Sequence, residues 1–229
     1  MNGYSEENQL LRKSVVDNFK ILDCSIIIEL NQNLKTADYT YNYEIQKQRE
    51  SKDVWREVFA YPKDEFTVLN VKNRKDNGLN YVLSSLDTPA RNACLEINFN
   101  KDIDVGEKYS FNYKCNTRIE SISNISTFGG NGVAWYWVAH EYPCDLLTII
   151  IKIPKKLIIK DTHPQRSKIE ENNVFFENRS LVSNEFAPVL VTYEKNALGL
   201  SPKHAKWVGT ILTLILGGLI SLGLTILFT

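Results

Sequence analysis

The residues best suited to chemistry in this chain stand at 140–145, "HEYPCD", where His140 and Cys144 lie four apart with Glu141 and Asp145 beside them. A thiol and an imidazole can make an activated nucleophile, provided the fold brings them within hydrogen-bond reach. A strand end followed by a turn at Pro143 accounts for the same residues without catalysis. His163 adds a third metal-type ligand, but His140, Cys144 and His163 do not have the paired spacing of a zinc site. Asp102-x-Asp104-x-Gly106-Glu107 begins like a calcium loop, yet the twelfth position, where such a loop needs a glutamate, is Tyr113. A turn with Gly106 in the left-handed region is the expectation. "FGGNG" at 128–132 is rich in glycine, but the aromatic run "VAWYWVAH" follows it, and no helix N-terminus is in place to hold phosphate. Gly129 and Gly130, with Trp135, Tyr136 and Trp137 beside them, form the first candidate surface for a small-molecule signal or a protein partner.

No Ser-His-Asp pattern, phosphate loop, dinucleotide fingerprint or paired zinc spacing occurs, so the expectation is a non-enzyme with no cofactor and no metal. The 27 Lys and Arg balance the 27 Asp and Glu, which gives no reason to expect nucleic acid as a partner. Arg74-Lys75 and Lys155-Lys156 are short basic pairs that read as solvated turns. Cys24, Cys94, Cys115 and Cys144 are widely spaced, and Cys24 and Cys115 fall within apolar alternation, the setting of buried reduced thiols. With no apolar run of signal-peptide length at the start, a cytoplasmic domain is expected.

The elements that must position these residues divide the chain in two. Residues 207–229, "WVGTILTLILGGLISLGLTILFT", contain no charged side chain. As a helix they measure about 35 Å at ~1.5 Å per residue, enough to span a ~30 Å hydrocarbon core with some tilt. Lys203, His204 and Lys206 precede the span, so the positive-inside tendency keeps the large domain cytoplasmic. The expectation is a single-pass tail anchor in the membrane, the inner membrane if the source is bacterial. Gly209, Thr213, Gly217, Ser221 and Thr225 recur every four residues, a ridge of small side chains through which such helices associate into a homo-oligomer in the bilayer.

Upstream, period-two alternation dominates 19–194 and predicts about eight or nine strands in an antiparallel β-sandwich or small barrel. Leu22, Cys24, Ile26, Ile28 and Leu30 make one buried face, and Tyr39, Tyr41, Tyr43 and Ile45 another. Further strands are read at 95–99, 109–115, 133–137, 147–153 and 189–193. Asn77-Gly78 predicts a type I′ hairpin joining "FTVLNVKN" to "LNYVLSSL". Residues 1–18 are expected to be a short helical segment, 51–59 allows another short helix, 154–188 reads as a long excursion over the sandwich, and 195–206 is a juxtamembrane linker.

This architecture is similar to that of small membrane-tethered effectors of bacterial antiviral defence. That resemblance implies a cytoplasmic domain that senses a signal and a membrane segment that assembles. The alternative is an adaptor whose anchor only fixes location while the domain docks a soluble partner protein.

Overall fold

The computed structural model describes residues 18–32, 36–87, 91–118, 132–139, 142–155, 157–164, 168–182 and 186–195. The expected helical segment before Asn18, the linker beyond Lys195, the apolar stretch 207–229 with its small-residue ridge, and Gly129 and Gly130 all lie outside them. Among the described residues no helix is long and apolar enough to cross a membrane.

The described chain is mainly β. It runs β1 (Phe19–Leu30), β2 (Thr36–Lys47), β3 (Val54–Pro62), a 3-10 turn (Lys63–Glu65), β4 (Phe66–Asn73), β5 (Asn80–Ser85), β6 (Asn92–Asn98), β7 (Lys108–Arg118), β8 (Gly132–Ala139), β9 (Cys144–Lys152), β10 (Leu157–His163), β11 (Lys168–Glu170), β12 (Asn173–Leu181) and β13 (Phe186–Lys195). These make three open sheets, ordered β11-β12-β9-β1-β2-β7-β4, β10-β13-β8 and β3-β6-β5. None of them closes, so the barrel alternative is not met. The large sheet is mixed rather than antiparallel, because β1 runs parallel to β9, with Ile26 opposite Ile149 and Ile28 opposite Ile151.

The alternation in β2 holds from Ala37 to Lys47, with every second residue buried. Its tyrosines form a ladder: Tyr41 lies opposite Tyr113 and Tyr43 opposite Phe111 in the register with β7. The ring centroids of these pairs are 4.6 and 5.1 Å apart and nearly parallel. Cross-strand aromatic pairs of this kind are the unit by which a sheet gains stability. The small β3-β6-β5 sheet covers this face, with the Trp55 ring 4.9 Å from Tyr43 and 5.4 Å from Phe111. One continuous core results, drawing in Phe19, Leu95, Ile97, Leu147 and Val191 from the three sheets.

Four expectations are corrected. Leu22 is only half-buried, while Phe19 and Ile21 before it and Cys24 after it are buried. A register shift between Ile21 and Asp23 inserts one residue and inverts the parity of the alternation there. Residues 54–62 are a strand, because Trp55 and Phe59 share one face at period two against β6. The stretch 154–188 contributes β10, β11 and β12 rather than an excursion. β12 pairs with β9 from Asn173 to Leu181, burying Val174 and Phe176 while its charged residues face outward.

The fourth concerns Asn77-Gly78. Positive φ falls at Asp76, at 63°, and the strands on either side belong to different sheets. A single bridge, Lys72 to Gly78, is all that forms before the chain continues as β5 and pairs with β6. By contrast Gly106 has φ +85°, the left-handed position expected of it.

Candidate ligand-binding cleft

Where β4 and β5 part, a cleft of about 610 Å³ opens between the turn after β4 and the β6–β7 connection. Its charged lining is Glu44, Arg74, Lys75, Lys101 and Lys108, and Tyr109 forms part of its wall. The volume is within the ~300–1,000 Å³ range of small-molecule sites.

Local chemistry fixes both walls. Asn73 turns its side-chain oxygen back to accept from the backbone N–H groups of Lys75, at 2.9 Å, and Asn77, at 3.1 Å. An Asx turn of this kind holds the backbone that carries Arg74 and Lys75. The opposite wall is held by Lys47, a buried lysine. Its ammonium donates to Asp53 at 2.9 Å and to the carbonyl of Ile103 at 2.7 Å, while Asp53 accepts from the Ile103 N–H at 3.2 Å. A buried ion pair contributes little net stability after desolvation, but it fixes the loop in one place. Gly106 donates its N–H to the Lys47 carbonyl, and Glu107 accepts from both Lys101 and the Asp104 N–H. The acidic segment 102–107 is therefore a turn stitched by its own residues.

The cleft cations differ in their surroundings. Lys101 pairs with Glu107 and lies 5.5 Å from the Tyr109 ring centroid. Its hydrogen bond to Glu107 raises the Lys101 pKa and lowers that of Glu107. Lys108 pairs with Glu44 at 3.3 Å. Burial raises the Tyr109 phenol, with Asn73 and Lys101 opposing the shift. Arg74 and Lys75 are exposed and make no ion pair with the described residues.

Between the sheets lies a half-buried acceptor that the sequence reading missed. Glu57 alternates with Trp55 and Phe59 on the inner face of β3. Its carboxylate accepts from the hydroxyls of Tyr113, at 2.6 Å, and Tyr43, at 3.1 Å, and from the Trp55 indole N–H, at 3.2 Å. Burial, then the Glu57 charge, pushes both phenols well above their ordinary range. The signal was W-x-E-x-F, an acid at an inward position of a period-two strand.

Of the residues singled out from sequence, those among the described residues are not gathered into one site. Cys144 begins β9 as a buried free thiol hydrogen-bonded to the Leu146 carbonyl at 3.3 Å, and burial pushes its pKa to about 12, the opposite of activation. His140 and Glu141 lie outside the described residues. His163 ends β10, in another sheet. Trp135, Tyr136 and Trp137 are on β8, opposite Leu190, Val189 and Pro188 of β13. All four cysteines are buried and free. Among the described residues no group of three or more metal-type ligands converges.

The cleft is remote from Lys195, where the described residues end. Its strands meet where β2 ends and β7 begins, beside the start of β1, since Phe19 lies opposite Lys47 and Gln46 opposite Lys108. β13 finishes at the other end: Lys195 lies opposite Leu157, which follows the end of β9, and β9 runs parallel to β1 with Lys152 opposite Glu29. The length of β1 separates the two ends, about 36 Å at ~3.3 Å per residue.

No family model matches the chain, and no curated protein matches it either. Solved structures do. The leukotriene A4 hydrolase of yeast in complex with bestatin is similar over 76% of this chain and 28% of its own, at 10% identity and a TM-score of 0.54. A mutant M1 zinc metallopeptidase from Deinococcus radiodurans, bound to a Tyr-Ser-Ala substrate, is similar over 76% of this chain and 42% of its own, at 8% identity and a TM-score of 0.51. The chain thus spans less than half the length of these proteins, and the likeness is one of fold.

Proposed function

We propose that the chain is a membrane-anchored, non-enzymatic binding protein. In this reading its β-sandwich faces the cytoplasm and receives a ligand at the cleft, while residues 207–229 span the bilayer once and associate with their copies. The observation that carries the reading is the uncharged run of 23 residues from Trp207 to Thr229, which starts 12 residues after β13 ends at Lys195. The distance between the cleft and Lys195 supports it, because a span joined through residues 196–206 attaches at the end of the domain opposite the cleft. The turns that fix the cleft walls are hydrogen-bonded within the β domain.

The test is membrane fractionation of the full chain beside Leu216→Arg/Leu219→Arg. Each arginine near the centre of a span costs about 2.5–3.5 kcal/mol of insertion free energy on the translocon scale. The unaltered chain is expected in the pellet after alkaline carbonate extraction, and the double variant in the supernatant. Recovery of the unaltered chain in the supernatant would remove anchoring from the account.

A further inference from the structure

We propose that the cleft takes a soluble, phosphate-bearing small molecule, held by Arg74, Lys75, Lys101 and Lys108. This deepens the binding role proposed above and depends on the cleft being the ligand site, not on the anchor. Four cations and one carboxylate line the cavity. The nearby carboxylates are mostly engaged: Glu44 with Lys108, Glu107 with Lys101, and Asp76 with Lys72 at 3.3 Å. Asp102 and Asp104 belong to the β6–β7 connection, and Asp102 faces the neighbouring depression on the Asp53 side. Arg74 and Lys75 are left as positive charge at the mouth, on a turn that Asn73 has already ordered.

An ordered turn lowers the entropy lost on binding. A guanidinium fork and several ammonium groups match a group with many anionic oxygens better than a single carboxylate. Exposed ion pairs are weak, so Lys101 and Lys108 can turn from Glu107 and Glu44 to a ligand of higher charge. The position of the cleft, a strand length away from Lys195, favours a soluble ligand over a lipid headgroup.

The experiment is calorimetric titration of the full chain with inorganic pyrophosphate in an uncharged detergent, or without detergent should the chain fractionate as soluble. Anchoring and ligand class are thereby tested separately. Saturable binding is expected. Arg74→Glu/Lys75→Glu should weaken it at least about tenfold, while Lys155→Glu, an exposed lysine at the opposite end of the sheet, should change it less than about twofold. Absence of saturation up to about 10 mM, a free energy weaker than about −3 kcal/mol, overturns the proposal. So does an equal loss in the two variants, which would mean non-specific attraction by charge. Doping the micelles with phosphatidylglycerol separates the two sources of phosphate. Loss of pyrophosphate binding through occupancy of the cleft by the lipid would make a headgroup the ligand and overturn the soluble assignment.

Discussion

Glu57 offers the most direct test of how the core is held. Its carboxylate accepts three hydrogen bonds, from Tyr113, Tyr43 and Trp55, whose side chains are otherwise sealed between the sheets. Hydrogen bonds to a charged acceptor contribute about 1.5–3 kcal/mol each, against the cost of partly desolvating a carboxylate that is half-buried. Glu57→Leu removes the acceptor and the cost together. The Trp55 N–H then loses its bond to the carboxylate, whereas Tyr43 keeps its contacts with Cys24 and Tyr113. A stranded buried donor costs about 1–3 kcal/mol, and with the Tyr113 bond weakened as well the expected destabilisation is about 2–4 kcal/mol. Glu57→Gln keeps one acceptor oxygen and should lose about 1–2 kcal/mol. Urea unfolding of the full chain, followed by tryptophan fluorescence, reads both. The order wild type, Gln, Leu is expected. A Leu variant as stable as wild type would refute the reasoning, showing that desolvation of the carboxylate outweighs everything it accepts.

The remaining predictions concern pH, a turn and the span. Burial raises the Cys144 pKa from 9.0 to about 12. A raised folded-state pKa keeps its full contribution below pH 9 and loses it as pH climbs toward 12, by about 1.4 kcal/mol per pH unit; thermal melts of Cys144→Ala should therefore fall less steeply over that window, and parallel slopes would refute this. Tyr43 and Tyr113 are also raised, so Glu57→Gln should shift tyrosinate formation, followed by ultraviolet absorbance, to lower pH, and an unmoved transition would remove the Glu57 charge as a cause. Gly106→Ala meets no atom within 4 Å of the new Cβ, yet must hold φ at +85°, so it should cost about 1–2 kcal/mol through backbone strain alone; a neutral result in urea unfolding would show the turn relaxing to negative φ. Gly217→Leu should reduce crosslinked oligomers of the full chain in membranes without altering unfolding of the β domain, and unchanged crosslinking would remove the small-residue ridge from the account.

Much of the strand order along the chain was legible because a half-buried strand writes its burial at period two. Tyr39, Tyr41, Tyr43 and Ile45 could be placed on the inner face without further information, and the structure buries all of them. Misreadings arose where local pattern and tertiary pairing diverge. Leu22 is apolar and in phase with Cys24, but the extra residue of the bulge is visible only from the partner strand. "VWREVF" contains four charged or aromatic side chains in a short run and fits either period until β6 is seen beside it. In 154–188 the outward charges of β10 and β12 are as many as the buried apolar residues, which resembles a loop when the neighbouring β9 is not considered.

The cleft was illegible for a related reason, since its parts are distant in sequence and each is ordinary alone. Arg74-Lys75 is an unremarkable basic pair on a turn, and Lys101 and Lys108 flank what first looks like a metal loop. The departure from the expected hairpin is what joins them. A two-residue turn at Asn77-Gly78 would have returned the chain along β4 and continued the large sheet. The Asn73 side chain instead closes a wider turn with Asp76 in the left-handed region, one bridge forms, and the strand after Leu79 pairs with β6 in the second sheet. Two strands that diverge to different layers leave a gap at their branching point, which β6–β7 flanks because Lys47 and Asp53 pin Ile103 there. The same change of layer that lets the small sheet cover the tyrosine ladder thus opens the cleft and brings its cations to one mouth.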